Sequence, residues 1–195
     1  MNHNRGKSLI ICDICLMNIV LLGYMGSGKS AVGGRLANLM GLEFIDLDLL
    51  IEQKIGKSIS EIFDQKGAVY FRKKETEILK EVLNFKHSAV IALGGGTPVY
   101  GDNLKWINDS NSCLSVYLKI SVKPLVQRLW TERLKRPLIA GLATPAELEE
   151  FIRKHLFERA FVYQQAHCQI DVSDMDLEQA ALAVQDAVQK GLDSN

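Results

Sequence analysis

The eight residues Gly23-Tyr24-Met25-Gly26-Ser27-Gly28-Lys29-Ser30 follow an apolar run, Ile19 to Leu22, and precede a segment in which Val32, Leu36 and Leu39 recur at helical spacing. A GxxxxGKS pattern between a strand and an amphipathic helix leaves few folds open. The glycines admit backbone conformations closed to other residues, so successive N–H groups converge on phosphate oxygens while the positive end of the helix points at them. Lys29 is placed to span the β and γ phosphates of a bound triphosphate, and the Ser30 hydroxyl to ligate Mg2+. A glycine turn that merely joined strand to helix would need neither Lys nor Ser at these places. The guanine-reading NKxD pattern is absent from the chain, so the expected nucleotide is ATP.

The rest of the chain repeats the same alternation. Apolar runs at Ile19 to Leu22, Glu43 to Leu47, Ala89 to Leu93, Leu114 to Leu118 and Cys168 to Val172 read as strands. Helical patterns lie between and after them: Ile78, Leu79, Val82 and Leu83; Leu148, Phe151, Ile152 and Leu156; Leu177, Ala181, Val184 and Val188. Ser58 with Glu61 forms a capping box opening a helix through Ile62 and Phe63. This predicts an α/β fold, a parallel sheet covered by helices on both faces, formed by residues 17–195 as one domain.

Residues 1–16 read as an extension. The stretch Leu9 to Leu22 is interrupted by Asp13 and Asn18 and is too short to span a membrane, and Met17 is a candidate translational start. Twenty-three Lys and Arg balance twenty-three Asp and Glu, so no global basic field recruits nucleic acid or an anionic membrane, and small molecules are the expected partners. Four scattered cysteines, Cys12, Cys15, Cys113 and Cys168, make neither a disulfide framework nor a zinc site and suit a reducing cytoplasm.

Three further features carry chemistry. In Glu43-Phe44-Ile45-Asp46-Leu47-Asp48 the second apolar run ends in acids at alternate positions, which on a strand project to one side, at the edge where ligands bind parallel sheets. Asp46 then serves the Mg2+ shell directly or through water, and Asp48 accepts a substrate hydroxyl and its proton. The competing reading makes one of them a helix N-cap. Gly94-Gly95-Gly96 directly follows the third strand, where bare backbone invites close approach to a ligand. Residues 131–144, with Arg133, Lys135 and Arg136, lack a core stripe and form either a solvated loop or a mobile lid, from which Arg136 reaches the transferring phosphoryl group. Arg72 and Arg159 sit in helical patterns where surface arginine is commonplace.

Together these pieces resemble the shikimate kinase family. The resemblance runs from about Asn18 to Val172 and rests on GYMGSGKS, DLD at Asp46 to Asp48, SISEIF at Ser58 to Phe63, FRKKE at Phe71 to Glu75, the Gly94 to Gly96 run, RPLIAG at Arg136 to Gly141 and ERAFVY at Glu158 to Tyr163. It implies a monomeric three-layer P-loop domain with a five-stranded parallel sheet of order 2-3-1-4-5, a substrate-binding segment at about 48–77 and a lid at about 131–144. The implied reaction moves the ATP γ-phosphoryl group to the 3-hydroxyl of shikimate, with Mg2+ as cofactor. It assigns Lys29, Asp48 and Arg136 to catalysis, and Gly26, Ser27, Gly28, Lys29, Ser30, Ala31, Arg128 and Arg136 to ATP. Asp48, Arg72, Gly94, Gly95, Gly96 and Arg159 fall to shikimate, and Ser30 and Asp46 to the metal. Within that set Arg72 and Arg159 pair with the substrate carboxylate, the Gly95 N–H approaches the ring, Phe63 and Phe71 pack near it, and Arg128 stacks on adenine opposite Ser173 to Asp176. A sugar-acid kinase acting on gluconate is the nearest alternative and should lack the DLD, FRxxE and GGG set.

Overall fold

The computed structural model describes residues 17–85 and 87–193; the extension and its two cysteines fall outside them. Five parallel strands form one sheet in the order β2-β3-β1-β4-β5, with β1 Asn18–Leu22, β2 Glu43–Asp46, β3 Ala89–Ala92, β4 Cys113–Lys119 and β5 Cys168–Asp171. The central position of β1 explains its composition, because a strand flanked by neighbours and covered on both faces has no polar side. All of Asn18–Leu22 is buried, in register with Val90–Ala92 on one edge and Cys113–Tyr117 on the other. Asn18, the polar member of β1, accepts a hydrogen bond from the Ala89 N–H on its side-chain oxygen at 3.0 Å.

The helices are α1 Lys29–Met40, α2 Leu47–Ile55, α3 Ile59–Leu83, α4 Asn103–Asn108, α5 Val122–Glu132, α6 Pro145–Tyr163 and α7 Leu177–Asp193. None of the described helices is long and apolar enough to cross a membrane. The capping box at Ser58 and Glu61 is present in both directions and satisfies backbone N–H groups that the helix start leaves unpaired. α3 unites two predicted helices across a break at Gly67, whose φ of 81° and ψ of 170° are not helical. The segment before the break leans over the crevice while the later part, through Ile78, Leu79 and Val82, joins the core. α7 buries Ala180, Ala181, Val184 and Val188, but Leu177 is exposed. Leu177 is therefore not a core position: as the first residue of α7 it faces outward beside the loop after β5. The bridge from Arg35 to Glu178, at 2.6 Å, links α1 and α7 on the surface, where solvent screens the pair.

Because all strands run the same way, their carboxyl ends and following loops share one edge of the sheet. That edge brings together the loop after β1, Asp46 at the end of β2, the glycine run after β3 and Val172 after β5. The segment 131–144 lines cavities at that edge through Thr131, Glu132, Arg136, Pro137 and Leu138. Its first residues finish α5, Arg133–Lys135 form a 3-10 turn, and Thr144 caps α6 by accepting from the Glu147 N–H at 3.2 Å. This segment is less loop-like than its sequence suggests, since Ile139 is fully buried and pins it to the core.

Candidate active site

The phosphate loop is set by three glycines with positive φ, Gly23 at 148°, Gly26 at 78° and Gly28 at 95°, the last being the residue that starts α1. A side chain at Gly26 would also meet Leu129 at 2.9 Å. Lys29, buried, donates to the carbonyls of Gly23 and Tyr24 at 3.0 Å each, so its ammonium is held inside the loop. Burial pulls its pKa down to about 8, with Asp48 and then Asp46 working the other way. Ser27 is buried and its hydroxyl has no hydrogen-bond partner among the described residues.

Asp46 and Asp48 reach the same cavity by a route different from the one expected. The strand stops at Asp46 and Asp48 lies in the first turn of α2, so the two acids do not alternate along a strand. Asp46 is the N-cap: Oδ1 accepts from the N–H groups of Asp48 and Leu49 at 3.1 and 3.3 Å. Its Oδ2 accepts from the Ser30 hydroxyl at 2.6 Å. The capping and functional readings of Asp46 are therefore compatible, one oxygen serving each. Among the described residues no three His, Cys, Asp or Glu side chains gather as a metal cage. Ser30 and Asp46 instead offer two hard oxygens side by side, which suits a cation that completes its shell with water and phosphate oxygens.

Asp48 stands where two cavities join. One, of about 520 Å3, runs along the phosphate loop and is lined by Lys29, Ser30, Ala31, Asp46, Arg128 and Arg136 among others. The second, of about 370 Å3, is lined by Arg72, Gly94 to Gly96 and Arg159, with Phe63 and Phe71 as its apolar wall. Asp48, Gly95 and Arg136 line both. The Asp48 carboxyl is pushed up to about 6, first by burial and then by the charges of Glu75 and Asp46, against the pull of Lys29 and Arg72. A smaller cavity of about 190 Å3 continues past Gly28 and Arg128 to Met175, Asp176 and Leu177.

The arginines differ in what holds them. Arg72 donates from Nη1 to Glu75 Oε2 at 2.6 Å, and the fully buried Glu75 also accepts from the Thr97 hydroxyl at 2.6 Å. Asn103 anchors Thr97 in turn, through its carbonyl at 2.9 Å. Arg136 pairs with Glu132 one helical turn back, at 2.7 Å. Arg128 donates to the Gly26 carbonyl at 3.3 Å. Arg159 has no carboxylate within ion-pair distance among the described residues, leaving its charge available to an anionic ligand. Phe63 and Phe71 pack together with ring centroids 4.6 Å apart.

The glycine run has a reason beyond ligand approach. A Cβ on Gly94 would lie 2.6 Å from Asp48 Oδ1, and one on Gly96 would fall 2.8 Å from Arg72 Cζ. Bare backbone lets the acid and the guanidinium lie flat against the turn. Sequence reading missed the burial of Glu75, the anchoring by Thr97 and the tie from the Tyr163 hydroxyl to the Gly95 carbonyl at 2.6 Å. The FRKKE motif held the signal for Glu75 at i+3 from Arg72; nothing local marks the other two.

Comparison with known proteins agrees with this geometry. The family model described as Shikimate kinase matches residues 25–189. A shikimate kinase of Flavobacterium psychrophilum is 46% identical over 157 residues, covering 80% of this chain and 89% of the relative. The crystal structure of shikimate kinase from Bacteroides thetaiotaomicron superposes with a TM-score of 0.81 at 32% identity, covering 89% of this chain and 98% of that one. Shikimate kinase from Acinetobacter baumannii in complex with shikimate gives 0.80 at 34% identity, covering 95% and 98%.

Proposed function

The chain belongs to the shikimate kinase family, and we propose that it moves the γ-phosphoryl group of ATP to the 3-hydroxyl of shikimate by the following division of labour. The triphosphate lies in the larger cavity, its oxygens facing the loop amides from Gly26 to Ala31 and the Lys29 ammonium. The nucleoside end runs past Arg128 toward Met175 and Asp176. Mg2+, when bound through Ser30 and through Asp46 directly or by way of water, supplies positive charge to the β and γ phosphates. The acid occupies the second cavity, its carboxylate facing Arg72 and Arg159, because a planar guanidinium suits a carboxylate with two parallel donors.

At the junction the Asp48 carboxylate accepts a hydrogen bond from the 3-hydroxyl and takes its proton. The oxygen bonds to the γ phosphorus, the bond from that phosphorus to the bridging oxygen breaks, and ADP leaves with the electron pair. Arg136 leaves Glu132 and neutralises the charge spread over the equatorial oxygens. The observation that carries this reading is the meeting of the two cavities at Asp48, Gly95 and Arg136, with cations behind each. We take the protein to work as a monomer in the cytoplasm, a setting that fits its free thiols Cys113 and Cys168. A coupled assay with ATP and shikimate, gluconate or neither tests the reading. Shikimate-dependent ADP release is expected, and equal release with gluconate would contradict it.

A further inference from the structure

Three residues of α6 at four-residue spacing, His155, Arg159 and Tyr163, fall on one helix face, and two of them are tied to loops of the site. His155 Nδ1 meets the Tyr24 hydroxyl in the phosphate loop at 3.1 Å. Tyr163, fully buried, donates its hydroxyl to the Gly95 carbonyl at 2.6 Å. Arg159 lies between them in sequence on the same face, one helical turn from each, and its positive charge acts on the Tyr163 phenol. The Tyr163 hydroxyl thus ties α6 to the glycine turn one helical turn away from the arginine that lines the acid cavity.

The Gly95 carbonyl and the Gly96 N–H belong to one trans peptide and point in opposite directions. Fixing the carbonyl on α6 therefore fixes the direction of that N–H, which finds no backbone acceptor among the described residues. The turn itself is closed by Thr97 N–H to the Gly94 carbonyl and Val99 N–H to the Gly96 carbonyl, both at 3.1 Å. These bonds leave the Gly95 peptide to be oriented from outside, and Tyr163, 68 residues away, supplies a bond that does so.

We infer that Tyr163 is a positioning residue for the acid substrate, its hydroxyl fixing the Gly95–Gly96 peptide relative to α6, the helix that carries Arg159 into the same cavity. This rests on the functional reading above, in which Arg159 and the glycine turn face shikimate. Tyr163 touches no reacting atom, and its effect belongs to acid binding rather than to nucleotide binding. The neighbouring Tyr117, whose ring centroid is 5.2 Å from that of Tyr163, offers a matched comparison: it is buried in the same cluster and lines neither substrate cavity.

The test is Tyr163→Phe beside Tyr117→Phe, with the Michaelis constants for shikimate and ATP, the thermal midpoint, and the shikimate dissociation constant by calorimetry. Tyr163→Phe removes one oxygen and leaves the ring. It should raise the shikimate KM and dissociation constant about tenfold, the effect expected of one lost buried hydrogen bond, and leave the ATP KM near wild type. Tyr117→Phe should move neither. A shikimate KM within twofold of wild type in Tyr163→Phe overturns the inference while sparing the functional reading. Equal rises for both substrates with a lowered thermal midpoint also overturn it, since they mark a role in packing alone. A wild-type protein with no shikimate-dependent turnover overturns both.

Discussion

Adding one methyl group at Gly96 should damage shikimate binding while sparing ATP. The Gly96 backbone is itself permissive, with φ −92° and ψ −18°, so alanine brings no conformational strain there. The obstacle is the Arg72 guanidinium, whose Cζ and Nη1 would lie 2.8 and 2.9 Å from the new Cβ. Arg72 must then swing away, breaking its 2.6 Å pair with Glu75 and leaving the place from which it faces the cavity. A hydrogen bond to a charged group contributes about 1.5–3 kcal/mol, so losing the Arg72 contact to a carboxylate should raise the shikimate KM by about 10-fold to 100-fold. Steady-state kinetics of Gly96→Ala, Arg72→Ala and the double variant measure this as a cycle. Each single change should raise the shikimate KM with little effect on that for ATP, and the double variant should be no worse than Arg72→Ala alone. Fully additive penalties would refute the argument, because they would mean that the methyl acts on something other than Arg72.

Other consequences follow from the same geometry. Lys29→Ala should abolish turnover while circular dichroism and the thermal midpoint stay near wild type; a near-normal kcat would remove Lys29 from the phosphate site. Asp48 carries a stability signature that can be read without nucleotide or metal. Its folded pKa of about 6 lies above its ordinary 3.8, so the folded state holds the proton more tightly than the unfolded chain does. The group therefore favours folding most below pH 3.8, and that contribution is lost as the pH rises through 6. Urea denaturation in metal-free buffer should accordingly show Asp48→Asn gaining stability relative to wild type between pH 4 and pH 7, and a pH-independent difference would contradict the burial argument.

Much of the architecture was legible because its signals are local. A central parallel strand must be apolar throughout, and Ile19 to Leu22 is; a phosphate loop must carry glycines of positive φ before Lys and Ser, and Gly23 to Ser30 does. Asp48 reaches the site by a route that strand alternation does not describe, since β2 ends at Asp46 and Leu47 starts a helix. Two residues apart lie on one face of a strand, whereas here the cap geometry of Asp46 brings the acids together. Leu177 fits the apolar period of α7 yet lies outside the core, because period alone does not say where a helix leaves its support. The least legible features join distant parts of the chain. Arg72 and Arg159 look like ordinary surface arginines until α3 and α6 are brought across the same crevice, which only the family resemblance implied. The buried Glu75 becomes significant once Thr97 lies beside it, 22 residues on.

The central claim is that one crevice holds a nucleotide on a phosphate loop and, beside it, a small hydroxylated acid on two guanidinium groups. Calorimetric titration of shikimate into protein saturated with Mg2+ and a non-hydrolysable ATP analogue tests it most directly. The account predicts a saturable heat of association in the wild-type protein, weakened at least about tenfold in Arg159→Ala. No heat in the wild type, or an undiminished one in Arg159→Ala, would contradict it.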